Sequence, residues 1–180
     1  MSSDVKTEAR QALDVLWELR PLLKRSRKAD WQAVLHLLEP YRERQYLDGA
    51  TRENSNRILS LINATIGDAY RELGEPRQAA TAYGRAQDFF PGTGFQDLYA
   101  ELVLKHRLEE HYEKALTALV AGHRTWSARP AIIRLAGHVG GLLTNPRTYW
   151  RYLRGRLLFS RRVRELRARI DRHTAARRGQ

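Results

Sequence analysis

The residues of this chain with the most chemistry in them are arginines. Positions 145 to 180 hold twelve of them and no lysine, against only Glu165 and Asp171, so this fifth of the sequence carries +10 of a formal net charge of +12. A guanidinium presents a fixed fork of donors suited to phosphate oxygens, and charge this uneven along a chain points to an anionic partner. Tyr149, Trp150, Tyr152 and Phe159 are interleaved with the arginines. Two partners fit that mixture. An anionic membrane surface would take the aromatic rings at headgroup level, and a nucleic acid would have its phosphates neutralised and its bases stacked. The candidate contacts are Arg147, Trp150, Arg151, Arg154, Phe159, Arg161, Arg162, Arg164, Arg167 and Arg169, with residues 147–159 open to a second reading, as the closing helix of the helical stack that buries Trp150, Leu153 and Leu157. Aromatic clustering at one end of an amphipathic pattern favours the membrane face, with RNA or DNA as the alternative. A smaller basic group from Lys24 to Lys28 joins that cationic face if the chain folds to bring them together.

Other reactive residue types are present without the spacing that chemistry needs. The histidines stand at 36, 106, 111, 123, 138 and 173, and no pair sits in a metal-binding helical arrangement. His106 and His111, beside Glu109 and Glu110, read as a surface turn. Gly137, His138, Val139, Gly140 and Gly141 lack the preceding strand and the Lys-Ser/Thr of a phosphate loop, so close helix packing explains them. With no cysteine there is neither a disulfide framework nor a thiolate site. No Ser/His/Asp set has a motif around it, and the expectation is a binding protein with no catalytic residue, cofactor or metal.

Residues 1 to 144 balance twenty basic against eighteen acidic side chains, and 42% of the whole chain is hydrophobic. That suffices for one folded body with a basic tail. The opening ten residues contain two acids and no apolar run, unlike a signal peptide, and no later stretch has the ~18 apolar residues of a spanning helix. A cytoplasmic protein, peripheral on a membrane at most, is therefore expected.

The elements that position these groups read as helices, since strand alternation is scarce and a helical apolar period recurs. Leu13, Leu16, Trp17, Leu19, Leu22 and Leu23 form one stripe; Trp31, Val34, Leu35, Leu37 and Leu38 a second; Ile58, Leu61, Ile62, Ile66, Ala69, Tyr70 and Leu73 a third. Ala79 to Phe90 continue into a fourth, Leu98 to Leu108 give a fifth and Tyr112 to Val120 a sixth. Breaks fall at Gly74 to Pro76, Pro91 to Gly94, Ser127 to Pro130 and Thr144 to Pro146, and the polar segment 45–55 reads as a loop or frayed end. From Tyr149 to Ile170 the apolar residues other than Leu158 gather on one arc, with Arg147, Arg151, Arg154, Arg161, Arg162 and Arg169 opposite and Arg156, Arg164 and Arg167 intruding on it.

Between 63 and 91, Gly67, Tyr70, Gly74, Ala79, Tyr83, Ala86 and Pro91 fall at the offsets of a known pattern. In these residues the chain resembles the tetratricopeptide repeat family. A degenerate second copy has Tyr99, Leu102, Tyr112, Ala115 and Leu119 in equivalent places, and weaker likeness runs over about 5–150, with Ile132 to Leu143 opening a terminal pair. The resemblance implies an all-α fold of antiparallel helix pairs stacked as a short right-handed superhelix over 1–145, with a basic amphipathic helix over 146–180. It also implies a non-catalytic adaptor whose concave face, lined by Asp68, Arg71, Glu72, Asp97, Glu101 and Arg107, takes a protein or peptide partner. The Lys/Asn/Arg pattern by which some family members hold carboxylate-ended peptides is absent, and the partly acidic lining suits a basic ligand. An accessory subunit positioning a membrane-bound enzyme is a further alternative compatible with these features.

Overall fold

The computed structural model describes residues 7–24, 30–91, 95–127 and 146–178, with side chains described in these ranges except at 20–24, 125–127, 146–157 and 177. Every regular element among them is helical. The chain divides into two compact units, 1–90 and 91–180.

The first unit contains α1 (Glu8–Lys24), α2 (Trp31–Leu38), α3 (Arg52–Glu72) and α4 (Pro76–Phe89). Each begins or ends where local chemistry satisfies the backbone. The Asp30 carboxylate accepts from the Ala33 N–H at 3.1 Å to open α2, and the Thr51 hydroxyl accepts from the Asn54 N–H at 3.3 Å to open α3. At the far end of α3, Gly74 adopts φ +79°, the Glu75 N–H bonds the Tyr70 carbonyl at 2.8 Å, and the Gly74 N–H bonds that of Arg71 at 3.2 Å. These are the two bonds of a Schellman stop, which needs the left-handed residue that glycine supplies without a Cβ clash. Pro76 then opens α4, where its missing N–H would have no helical partner.

The resulting α3–α4 hairpin is antiparallel: the Ser60 hydroxyl donates to the Ala86 carbonyl at 2.9 Å at its open end, while Gly67 faces Tyr83 nearer the turn. A Cβ at Gly67 would lie 2.8 Å from two carbons of the fully buried Tyr83 ring. The ring occupies the space left by the absent side chain, as the spacing of the two residues anticipates. Ala12 and Leu19 of α1, Val34 and Leu38 of α2, and Leu59 and Ile62 of α3 close the core around the hairpin's other side. The segment read as loop is a loop as far as Thr51, and it carries a buried anchor. Leu47 is fully buried and its N–H donates to the buried Ser55 hydroxyl at 2.8 Å.

The second unit contains α5 (Gln96–His106), α6 (Tyr112–Ser127) and α7 (Pro146–Arg178). Helix α5 stops two residues before the expected Leu108, because Arg107 turns to φ 54° and the Leu108 N–H bonds the Val103 carbonyl at 3.1 Å. A left-handed arginine gives no sequence signal comparable to glycine, which is why the boundary was displaced. Tyr99, Leu102, Tyr112, Ala115 and Leu119, the residues expected of a second repeat, are all buried. Helix α7, 33 residues and about 50 Å long, packs antiparallel to α6, with residue pairs 159 and 123, 169 and 112, and 173 and 109 in contact. The expected helix from Ile132 to Leu143, the glycine group 137–141, His138, the 25–28 part of the basic group and the break after Ser127 lie outside the described residues.

Candidate functional site

The residues expected on a concave face fall into two sets, one in each unit. In the first unit they satisfy one another. Asp68 accepts from the Tyr83 hydroxyl at 2.6 Å and pairs with Arg71 at 3.0 Å; Arg71 also pairs with Glu72 at 2.9 Å and donates to the Tyr83 oxygen at 3.2 Å. Burial pushes the Tyr83 phenol well above its ordinary value, with the Asp68 carboxylate adding to the effect, so it remains a donor at all physiological pH. This network fastens the ring that fills the Gly67 gap.

In the second unit the acidic pair has an occupant from the same chain. Arg162 of α7 donates from Nη1 to Asp97 at 3.1 Å and from Nη2 to Glu101 at 2.6 Å, one turn apart on α5. Only 8% of the Arg162 side chain is exposed. Burial holds the Asp97 carboxyl above the usual carboxylate range, and Arg162 pulls it back only in part. Further along, Arg169 lies over the Tyr112 ring at 5.6 Å, donates to its hydroxyl at 2.9 Å and pairs with Glu165 at 2.9 Å. His173 meets Glu109 at 3.0 Å, Phe159 stacks on His123 with centroids 4.0 Å apart, and Leu166 is fully buried between these contacts. Arg162, Leu166, Arg169 and His173 stand at i, i+4, i+7 and i+11, a single stripe down one side of the helix.

The expectation that Phe159, Arg162 and Arg169 meet an external anionic surface is corrected by these contacts. Their long apolar stems and rings cover α5 and α6, and their polar ends find partners there. Arg164 and Arg167, expected to intrude on the apolar arc, are exposed instead, together with Arg161, Arg172 and Arg178. Arg161, Arg164 and Arg167 have no acidic partner among the described residues, and Asp171 is the one exposed acid among the described residues of α7 beyond Leu157. Beyond Leu157 the helix therefore carries two faces, one fitted to its own unit and one whose charged groups are arginines and Asp171. The side chains of Arg147, Trp150, Arg151 and Arg154 lie outside the described residues. Arg107 is exposed at the end of α5. No helix among the described residues is long and apolar enough to cross a membrane.

His111 sits at the α5–α6 turn with Nδ1 2.9 Å from the Tyr99 hydroxyl and its ring edge-on to that ring. With the proton on Nε2, the phenol donates to Nδ1. Burial holds the imidazole below its ordinary value, with Glu110 opposing and Lys114 assisting. Between the folded and unfolded values the unfolded chain binds more protons, so this contribution to stability is complete above about pH 6.5 and is lost as the pH falls through the folded value. An NMR titration of the His111 ring should give a midpoint below 6.5, and because the raised Asp97 carboxyl acts in the opposite sense, the urea resistance of the second unit should fall more between pH 7.5 and 5.5 in the native chain than in His111→Gln. A midpoint at or above 6.5 would contradict the buried-ring account.

No protein-family model, curated protein or solved structure matches this chain.

Proposed function

We propose that this chain is a non-catalytic, tetratricopeptide-like binding protein that docks on a phosphate-bearing polyanion through the outward face of α7. The observation that carries this reading is the division of α7 into two faces. Arg162 and Arg169 are consumed within the second unit, whereas Arg161, Arg164, Arg167 and Arg172 point outward. The Gly67–Tyr83 contact and the Gly74 stop support the repeat-like character of the α3–α4 hairpin, and the buried Tyr99, Tyr112 and Ala115 support that of the α5–α6 hairpin. The adaptor role, with a protein partner held on the helical body, follows from the family resemblance. A membrane-inserting role needs apolar side chains of α7 free to enter the headgroup region. Leu166 and Phe159 are engaged inside the unit, which favours electrostatic docking over insertion.

Retention on immobilised heparin tests the reading. The full chain should elute at clearly higher salt than the variant Arg161→Gln/Arg164→Gln/Arg167→Gln/Arg172→Gln. The variant should melt normally, because substitutions at exposed positions shift stability by only about 0.5 kcal/mol each. Identical elution of the two proteins would sink the assignment of this face.

A further inference from the structure

We infer that the outward face of α7 seats in the major groove of double-stranded DNA and holds the backbone without reading sequence. This rests on the polyanion-docking reading above and narrows it to one partner.

On a helical projection the exposed residues of α7 form one sector. Arg161 and Arg172 lie on one flank and Arg164 and Arg167 on the other, with Ala168 and Ala175 between them, all exposed. A helix is about 10–12 Å across and the B-form major groove about 12 Å wide. Small residues on the leading edge let the helix axis approach the groove floor, while arginines on the two flanks reach phosphates on the two walls. From Arg161 to Arg172 the row covers about 16 Å along the axis. Asp171 lies within the Arg164–Arg167 flank and the part-exposed Glu165 beside Arg172, which disfavours deeper burial among phosphates but leaves each flank net cationic.

The same features count against the other polyanions. A-form RNA has a deep, narrow major groove that side chains and helices do not enter. Single strands are held by aromatic platforms, and the described part of this sector offers none, Phe159 being stacked on His123. Among the described residues of this sector an anionic bilayer would meet arginines with no apolar anchor beside them, which at about 1 kcal/mol each gives only weak partition. Base reading is not expected, because the arginines stand on the flanks towards the groove walls and the leading edge between them presents only the short Ala168 and Ala175.

The test is fluorescence anisotropy of the full chain with labelled 20-base-pair duplex DNA of two unrelated sequences, the matching duplex RNA and a single strand. Salt is varied from 50 to 200 mM, and vesicle co-sedimentation with phosphatidylserine bilayers runs alongside. Both DNA duplexes should bind equally, in the micromolar range at low salt. Each phosphate contact contributes about 0.9 to the slope of log affinity against log salt. Arg164→Gln should therefore lower the slope by about 0.9, and the quadruple glutamine variant by about 3.6, with Arg77→Gln on α4 leaving it unchanged. Duplex RNA or single strands bound as tightly as duplex DNA would overturn the inference. So would an unchanged slope in the quadruple variant, or vesicle binding that persists where DNA binding is lost. Heparin retention without DNA binding overturns this inference alone, whereas loss of both overturns the docking reading as well.

Discussion

Arg162→Ala should lower the stability of the second unit by about 3–5 kcal/mol, the range for removing one partner from a buried ion pair. The substitution leaves Asp97 largely covered beside Glu101 with no counter-charge, and it removes the stem that covers α5. The Asp97 carboxyl is already held above its ordinary range with Arg162 present, and without the guanidinium it rises further. A carboxyl with a raised folded value is penalised most where it must be ionised. The deficit should therefore be greatest near pH 7 and shrink as the pH falls through the raised value towards the ordinary one. Urea unfolding at pH 7 and pH 5 reads this directly. Because burial opposes Asp97 even in the intact pair, the pair directs the docking of α7 more than it stabilises the unit. Arg162→Met combined with Asp97→Leu should accordingly recover most of the loss. A deficit under about 1 kcal/mol in the single variant, of the size seen for exposed pairs, would mean that Arg162 is solvated.

Tyr83→Ala should cost the first unit about 3–5 kcal/mol, the range for truncating a large buried aromatic. The cavity opens against Gly67, which has no side chain to move into it, and Asp68 loses its phenolic donor. Tyr83→Phe separates these effects. It keeps the ring and removes the hydroxyl, and because Arg71 still pairs with Asp68 the loss should be about 1 kcal/mol. Small domains are stable by about 5–15 kcal/mol, so the alanine variant should show a markedly lower urea midpoint and the phenylalanine variant a modest one. Equal losses would place the importance of Tyr83 in its hydroxyl and not in the filling of the gap.

The contrast between these two residues explains what the sequence discloses. Gly67 and Tyr83 are local, sixteen residues apart, and their pairing follows from helical spacing and from a glycine that has no other reason to sit inside a helix. The Gly74–Pro76 break is legible for the same reason: it is written in residues with special backbone preferences. Leu47 gave no signal, since one apolar residue in a polar segment has no period. The ion pair of Arg162 with Asp97 and Glu101 spans more than sixty residues, and periodicity says which residues share a face without saying what covers it. A helical projection sets Arg162 and Arg169 opposite the apolar arc, which points them to an external anionic partner. The informative pattern was the four-residue stripe with Leu166 at its centre, where arginine stems serve as apolar cover and their heads find acids on α5 and a tyrosine on α6.

That separation along the chain has a consequence in time. Asp97 and Arg162 are 65 residues apart, and at about 5–20 residues per second a ribosome needs roughly 3–13 s to pass from one to the other. Throughout that interval the α5–α6 hairpin can fold locally while the face that receives Leu166 stays uncovered, its two carboxylates unpaired. For those seconds the nascent chain offers a sticky, acid-flanked patch to anything basic nearby, and the closing of the second unit waits on the synthesis of α7.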